Sequence, residues 1–375
     1  MATPTLPVRH ITQIPAQAAS FQNKLGSILG RKVGNQISAR SFAARFELRV
    51  YFVQSRPVGS VFMKQPSRLM TALAIAVAIL AVSTASIFIR FAQKEASSIA
   101  IAALRLAFAS VALAPVALTR YRRELAGLTR NEVMLGVGSG LFLGLHFATW
   151  ISSLAYTTVA SSVVLVSTGP LWVALLSPLF LNERLTSKAF IGLGLSLAGG
   201  AIIALSGGCT WNHGLSCGNL SQMMAGHGIR GDFLALAGAW AVTGYLIIGR
   251  RLRAKIDLVP YIFLVYSAAA VSLLIATWLL GIPVLGFTPI TYLWLVLLAL
   301  VPQLIGHSTY NWALRFLPAA IVAVATLGEP IGSATLAYFI LNEKPTLAVL
   351  IGGVLILAGI YITVRTRAST EAAAA

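Results

Sequence analysis

Acidic side chains are scarce: Asp and Glu number 10 against 28 Lys and Arg in 375 residues, and charged residues of either sign make up only 10% of the chain. Enzymatic acid–base work asks for paired carboxylates, a metal cluster or an activated nucleophile, and only one acid, Glu329, stands deep inside an apolar run. Cysteine is scarcer still, with Cys209 and Cys217 in the stretch Cys209-Thr-Trp-Asn-His213-Gly-Leu-Ser-Cys217. The Cys-x3-His-x3-Cys spacing matches no usual zinc pattern, so no metal and no cofactor are expected. A disulfide in an oxidising compartment and two loop cysteines without consequence both stay open.

What the chain has instead is apolar length. Hydrophobic residues make up 57%, and several runs near 20 residues hold almost no charge. Such runs are long enough to cross a hydrocarbon core of ~30 Å as helices, which predicts a polytopic, all-α membrane protein in contact with a lipid bilayer. The net charge of +18 does not point to nucleic acid, because its basic residues cluster in residues 1–68 and in short loops between apolar runs. Residues 1–67 form a basic N-terminal extension with no run able to span a bilayer and a single acid, Glu47. Two origins fit it: an organelle transit peptide, or an over-long reading frame whose natural start is Met63.

The stretch 169–202 recurs 160 residues later as 329–362. From Pro170 to Ile202, 14 of 33 positions are identical without a gap, among them Pro170/Pro330, Leu181-Asn182-Glu183/Leu341-Asn342-Glu343 and Gly192/Gly352. An internal repeat of this size sets the fold. Ten spans are expected, at about 69–91, 97–118, 132–154, 158–181, 188–206, 232–249, 259–281, 290–313, 318–341 and 346–364. They group into a first repeat at 68–206, a linker at 207–231, a second repeat at 232–366 and a tail at 367–375. Five crossings per copy invert the second copy relative to the first.

Loop charges agree. With the N-terminus inside, Arg120, Arg122, Arg123, Arg130, Arg184, Lys188, Arg250, Arg251, Arg253, Lys255, Arg315, Arg365 and Arg367 fall on the inner side. The outer side holds little beyond Lys94, Arg230 and Lys344, with Arg90 near it. Both termini are therefore expected in the cytoplasm, in a bacterial plasma membrane or, if the extension is a transit peptide, an organelle membrane.

Two copies of proline followed eleven to thirteen residues on by Leu-Asn-Glu, each leading into a glycine-bearing last helix within ten spans, resemble the EamA-type carriers of the drug/metabolite transporter superfamily. The likeness covers about 69–366. It implies export or exchange of small metabolites, amino acids or drugs through a central cavity. The chain lacks the lysine-bearing helix motifs of the nucleotide-sugar branch, which argues against that substrate class.

Charges inside a span cost at least ~2.5 kcal/mol, so Arg105 and Glu329 each need a reason. Glu329 precedes Pro330, whose missing N–H favours a kink, as does Pro170 in the first copy. The equivalent of Glu329 is Gly169. Glu329 could hold a cation or proton and couple transport, or pair structurally with Arg105. His146, Trp150 and Ser153 share one face of the third span, and Gln303, His307 and Asn311, with Tyr310 adjacent, share one face of the eighth. Together with Arg105 they are candidate walls of a solute cavity, or partners in hydrogen bonds between helices. Gly140 and Gly144 are expected to allow close helix approach, and Glu183 and Glu343 to act as interfacial caps or pairs. The sequence favours a secondary carrier by alternating access, open to proton coupling, over a membrane-embedded lipid- or prenyl-modifying enzyme or a passive channel. It does not fix the substrate, direction, coupling ion or oligomeric state.

Overall fold

Helices begin where a polar side chain can replace the missing first-turn partners. In the computed structural model, Ser67 accepts from the Met70 N–H and opens α1 (Arg68–Ser83), continued by α2 (Ala85–Ala92). Ser97 opens α3 (Ser98–Thr119), which a short helix α4 (Arg122–Ala126) follows. Thr129 forms a reciprocal capping box with Glu132 at the start of α5 (Arg130–Ser153), and Thr158 caps α6 (Val159–Val166). Then come α7 (Gly169–Leu181) and α8 (Ser187–Ser206). The structure describes residues 66–181, 187–206, 209–211, 215–217, 227–313, 315–316 and 326–374. The N-terminal extension up to residue 65, Glu183 and Arg184 lie outside them.

The second copy begins with α9 (His227–Arg253) and α10 (Leu258–Leu279). Next is α11 (Pro289–Leu298), which runs without a break into a π-helical segment, Ala299–His307, and α12 (Ser308–Ala313). The chain closes with α13 (Gly328–Leu341) and α14 (Leu347–Ala374). Six helical stretches among the described residues are long and apolar enough to cross a membrane: Leu69–Ala92, Ser98–Thr119, Arg130–Ser153, Gly228–Arg253, Leu258–Leu279 and Pro289–Ala313. These match six of the ten expected spans.

The fifth and tenth expected spans are helices as well, α8 and α14, and the fourth and ninth differ from the expectation. The fourth expected span is divided, with α6 ending before Ser167 and α7 starting at Gly169. The ninth is described from Thr326, and α13 starts at Gly328. Pro170 and Pro330 thus sit in the first turns of new helices, where a missing N–H breaks no intrahelical bond. The linker is not purely irregular either: Cys209–Trp211 (β1) and Leu215–Cys217 (β2) pair antiparallel, with Cys209 opposite Cys217. Among the described residues the fold is therefore helical with one short hairpin, where an all-α chain was expected.

All described residues belong to one unit, and its two copies meet about a local two-fold axis. Ser196 Oγ of α8 donates to the carbonyl of its own equivalent, Ile356 of α14, at 3.2 Å. A Cβ built on Gly199 would lie 2.4 Å from the Gly352 carbonyl oxygen, and one on Gly359 2.4 Å from that of Gly192. The offset exchanges these two contacts. Hydrogen bonds obey the same rule: Gln93 Nε2 donates to the Ile151 carbonyl at 2.8 Å, and its equivalent Arg253 Nε to the Asn311 carbonyl at 3.3 Å. Along α8 and α14 the residue numbers in contact run oppositely, so equivalent helices cross antiparallel.

The symmetry slips over one stretch. Thr129 and Thr288 stand at the starts of equivalent helices 159 residues apart, whereas Ser97 and Asp257 upstream and Ser196 and Ile356 downstream are 160 apart. The second copy has lost a residue before Thr288 and regained one after it, and the π-helical segment lies in the second interval. A π turn is how a helix absorbs an insertion while remaining continuous.

Glycine contacts also join α5 to α10. A Cβ on Gly140 would lie 2.7 Å from both the Val265 carbonyl oxygen and Ala268 Cβ, and one on Gly144 3.2 Å from Ser272 Oγ. The small-residue stripe of the third span is a packing surface, as small-xxx-small spacing predicts. Large apolar side chains such as Trp278, Phe339 and Leu293 face outward, the arrangement of a protein whose solvent is lipid.

Candidate functional site

Arg105, on α3, is fully buried. Its Nε donates to Gln303 Oε1 of the π-helical segment at 3.0 Å, and its guanidinium lies over the Phe147 ring of α5 at 4.0 Å. Among the described residues Nη1 and Nη2 have no hydrogen-bond partner, and Gln303 Nε2 has only the Tyr266 hydroxyl near it. The structural ion pair with Glu329 is not formed; ion pairs among the described residues include Arg90–Glu343 and Arg315–Asp257. Glu329, in the first turn of α13, is still near enough to interact electrostatically with Arg105 and Tyr310. An acid in a first turn faces unbonded backbone N–H groups, which is one local reason for its placement.

The two expected stripes converge in part. His146 stacks on Trp150 with centroids 6.0 Å apart, and the Phe147 ring meets His307 edge-on at 5.5 Å. His146 Nδ1 donates to the Gly238 carbonyl at 2.9 Å; a carbonyl only accepts, so Nδ1 carries the proton. The offset maps this pair onto Gly306 and Ala78. A Cβ on Gly306 would lie 2.5 Å from a Val82 side-chain carbon, so no side chain fits there and the second copy carries its histidine one position later. Trp150 Nε1 and Tyr310 OH are buried and unpartnered.

Two candidates are engaged elsewhere. Ser153 Oγ donates to the Trp150 carbonyl at 2.6 Å and shares a hydrogen bond with Ser162 of α6. Asn311 Oδ1 accepts from Tyr245 OH at 2.9 Å, and its Nδ2 donates to the His307 carbonyl. Both hold helices together. Phe147 escaped the sequence reading because an apolar residue between His146 and Trp150 carries no signal of its own.

The site occurs once in a molecule built twice. Ser97 and Asp257 cap equivalent helices 160 apart, so Arg105 corresponds to Val265, while Gln303 corresponds to Leu143. One of two related helix contacts is therefore polar and the other apolar. Glu329 against Gly169 follows the same pattern.

Outside the spans, Glu343 does what an interfacial acid can. Asn342 adopts a left-handed conformation (φ 56°) and ends α13. Glu343 then accepts from Arg90 at 2.7 Å and from the first N–H of α6, that of Val159, at 2.8 Å. This ties the ends of three elements. A half-exposed pair contributes about 1 kcal/mol at most. Glu343→Gln is expected to lower the thermal midpoint slightly, and adding Arg90→Ala to cost less than the sum of the two. Strict additivity in that double-mutant cycle would show that they do not act as a pair. Nearby, the backbone N–H and hydroxyl of Thr288 hold the exposed Glu95 carboxyl below its ordinary range.

Residues 69–205 and 229–365 each match the model of the EamA-like transporter family. A relative from Archaeoglobus fulgidus, described as an uncharacterized transporter, is 26% identical over 296 residues, 78% of this chain and 96% of its own. A second from that organism is 25% identical over 292 residues, 78% of this chain and 95% of its own. The uncharacterized transporter YdfC of Bacillus subtilis is 24% identical over 224 residues, 59% of this chain and 68% of its own. One solved crystal structure, at 20% identity, shares the fold with a TM-score of 0.56, covering 81% of this chain and all of its own. The chain belongs to the EamA-like transporter family and is an integral membrane transporter.

Proposed function

We propose that the protein is a secondary active carrier, an exporter or exchanger of a small solute, whose two repeats rock around a site built on Arg105, Gln303 and Glu329. The observation that carries this reading is the antiparallel meeting of equivalent helices, with Ser196 on its own equivalent Ile356 and the Gly199–Gly352 contact exchanged with Gly359–Gly192. A two-fold axis perpendicular to membrane-crossing helices lies in the bilayer plane. The repeats then traverse the membrane in opposite senses, and exchanging their conformations turns an inward-open carrier into an outward-open one.

Ten crossings belong to this proposal, with both termini in the cytoplasm of a bacterial plasma membrane, as the loop charges favour. The linker then lies outside, where the register of Cys209 opposite Cys217 suits a cross-strand disulfide. We assign coupling to Glu329, with a proton as the coupling ion. Purified full-length protein in liposomes, offered a panel of organic acids, amino acids and organic cations, is expected to show saturable uptake that solute on the opposite side accelerates. Flux linear in concentration and indifferent to the opposite side would establish a channel instead.

A further inference from the structure

We infer that Arg105 and Gln303 form a receptor for the carboxylate of an organic monoanion, an inference that rests on the carrier reading above. The argument is one of unmet donors. Arg105 spends Nε on Gln303 Oε1, the amide's only acceptor, so what remains on both side chains is N–H: the two terminal guanidinium nitrogens and the amide nitrogen. Both residues are 0% exposed; the two terminal guanidinium nitrogens have no partner among the described residues, and the amide nitrogen has only the nearby Tyr266 hydroxyl. Buried charges are ordinarily paired, and a protein with no use for this one would carry Val and Leu, as the related positions Val265 and Leu143 do. Water could accept these hydrogen bonds but would bring no charge to the guanidinium edge, and Glu329, though it interacts electrostatically with Arg105, makes no ion pair or hydrogen bond with it.

The missing group is therefore an acceptor bearing negative charge. A carboxylate is planar and presents two oxygens to the two terminal nitrogens of a guanidinium. A phosphate monoester suits the charge less well, because a dianion would exceed the single positive charge of Arg105 with the Glu329 carboxyl close by. The face of the guanidinium is already covered by Phe147, so the carboxylate meets its edge. Trp150, whose ring lies 6.3 Å from that of Phe147, also has a buried Nε1 with no partner among the described residues. The pair is sealed in this conformation, so the anion reaches it when the repeats part.

The test uses the full chain in lipid nanodiscs and follows thermal midpoint and tryptophan fluorescence. The probes are benzoate, its neutral isostere benzamide, the cation benzylamine and phenyl phosphate. Benzoate is expected to stabilise the protein and to bind at least about tenfold more tightly than the other three, as a charge-assisted bidentate contact implies. Arg105→Lys keeps the charge, loses the fork and is expected to weaken benzoate about tenfold or more while leaving benzamide unchanged. Equal binding of benzamide, preference for benzylamine or phenyl phosphate, or no response to benzoate at millimolar concentration would each overturn the inference. So would unchanged benzoate affinity in folded Arg105→Lys. If that variant does not fold, the comparison of probes on the wild type decides alone. Saturable counterflow of a non-anionic solute without carboxylate binding would defeat this inference and leave the carrier intact. Carboxylate binding without flux would do the reverse.

Discussion

A folded Glu329→Gln protein is expected to lose solute accumulation driven by a pH gradient while still exchanging solute across the membrane at equilibrium. Gln keeps the shape of the side chain and can still hydrogen-bond at the start of α13, but it cannot take up or release a proton. The two functions therefore separate only if the carboxyl carries the coupling ion. Its surroundings allow such a role: Glu329 is not locked in an ion pair, yet it senses Arg105 and Tyr310 electrostatically. A proton arriving or leaving there alters the field at the proposed solute site directly. Gradient-driven accumulation retained by folded Glu329→Gln would exclude this carboxyl as the coupling group. Loss of exchange together with accumulation would mean that Glu329 binds the solute or shapes its cavity.

Gly199→Val in α8 is expected to have the largest effect on folding. Its Cβ would lie 2.4 Å from a backbone oxygen, that of Gly352, and 3.1 Å from the Ile356 nitrogen. Backbone of a facing helix cannot yield as a side-chain tip can, so α8 and α14 must separate. Overpacking typically costs about 1–3 kcal/mol, and a contact on backbone falls at or above the upper end. Most of the protein should be lost as a monodisperse peak after extraction in mild detergent, with a lowered thermal midpoint in the remainder. Gly359→Val should be as damaging, because its Cβ meets Gly192 in the exchanged contact. Gly200→Ala is the control, since its nearest neighbour, a Leu165 side-chain carbon, lies at 3.8 Å. Unequal penalties at Gly199 and Gly359 would contradict the two-fold relation at this crossing.

Depth was easier to read from the sequence than direction. Six spans were legible because an apolar run near twenty residues that holds almost no charge has few alternatives. Arg105 and Glu329 stood out through the cost of a charge at depth, which depends only on position along the chain. Which neighbour each one faces depends on rotation about the helix axis and on packing between helices distant in sequence. Arg105 accordingly looked like a partner for Glu329, and its donor goes to Gln303 instead. Ser153 and Asn311 shared helix faces with the candidate site, but Ser162 and Tyr245 claim them. The division between α6 and α7 was disguised by a continuous apolar run, whereas the 160-residue offset was visible and governs the contacts of α8 with α14.

The π-helical segment has an energetic consequence. Two identical repeats related by a two-fold axis would make the inward- and outward-facing conformations equal in energy, because exchanging the repeats would convert one into the other. An empty carrier of that kind would divide its time evenly between the two sides. The added residue between Thr288 and Tyr310, with Arg105 set against Val265 and Glu329 against Gly169, removes that degeneracy. A bias of 1.4 kcal/mol already gives about a tenfold preference for one side. On the proposed carrier reading, the gradients set the direction of net transport, and the side on which the empty protein rests is written in the places where its halves disagree.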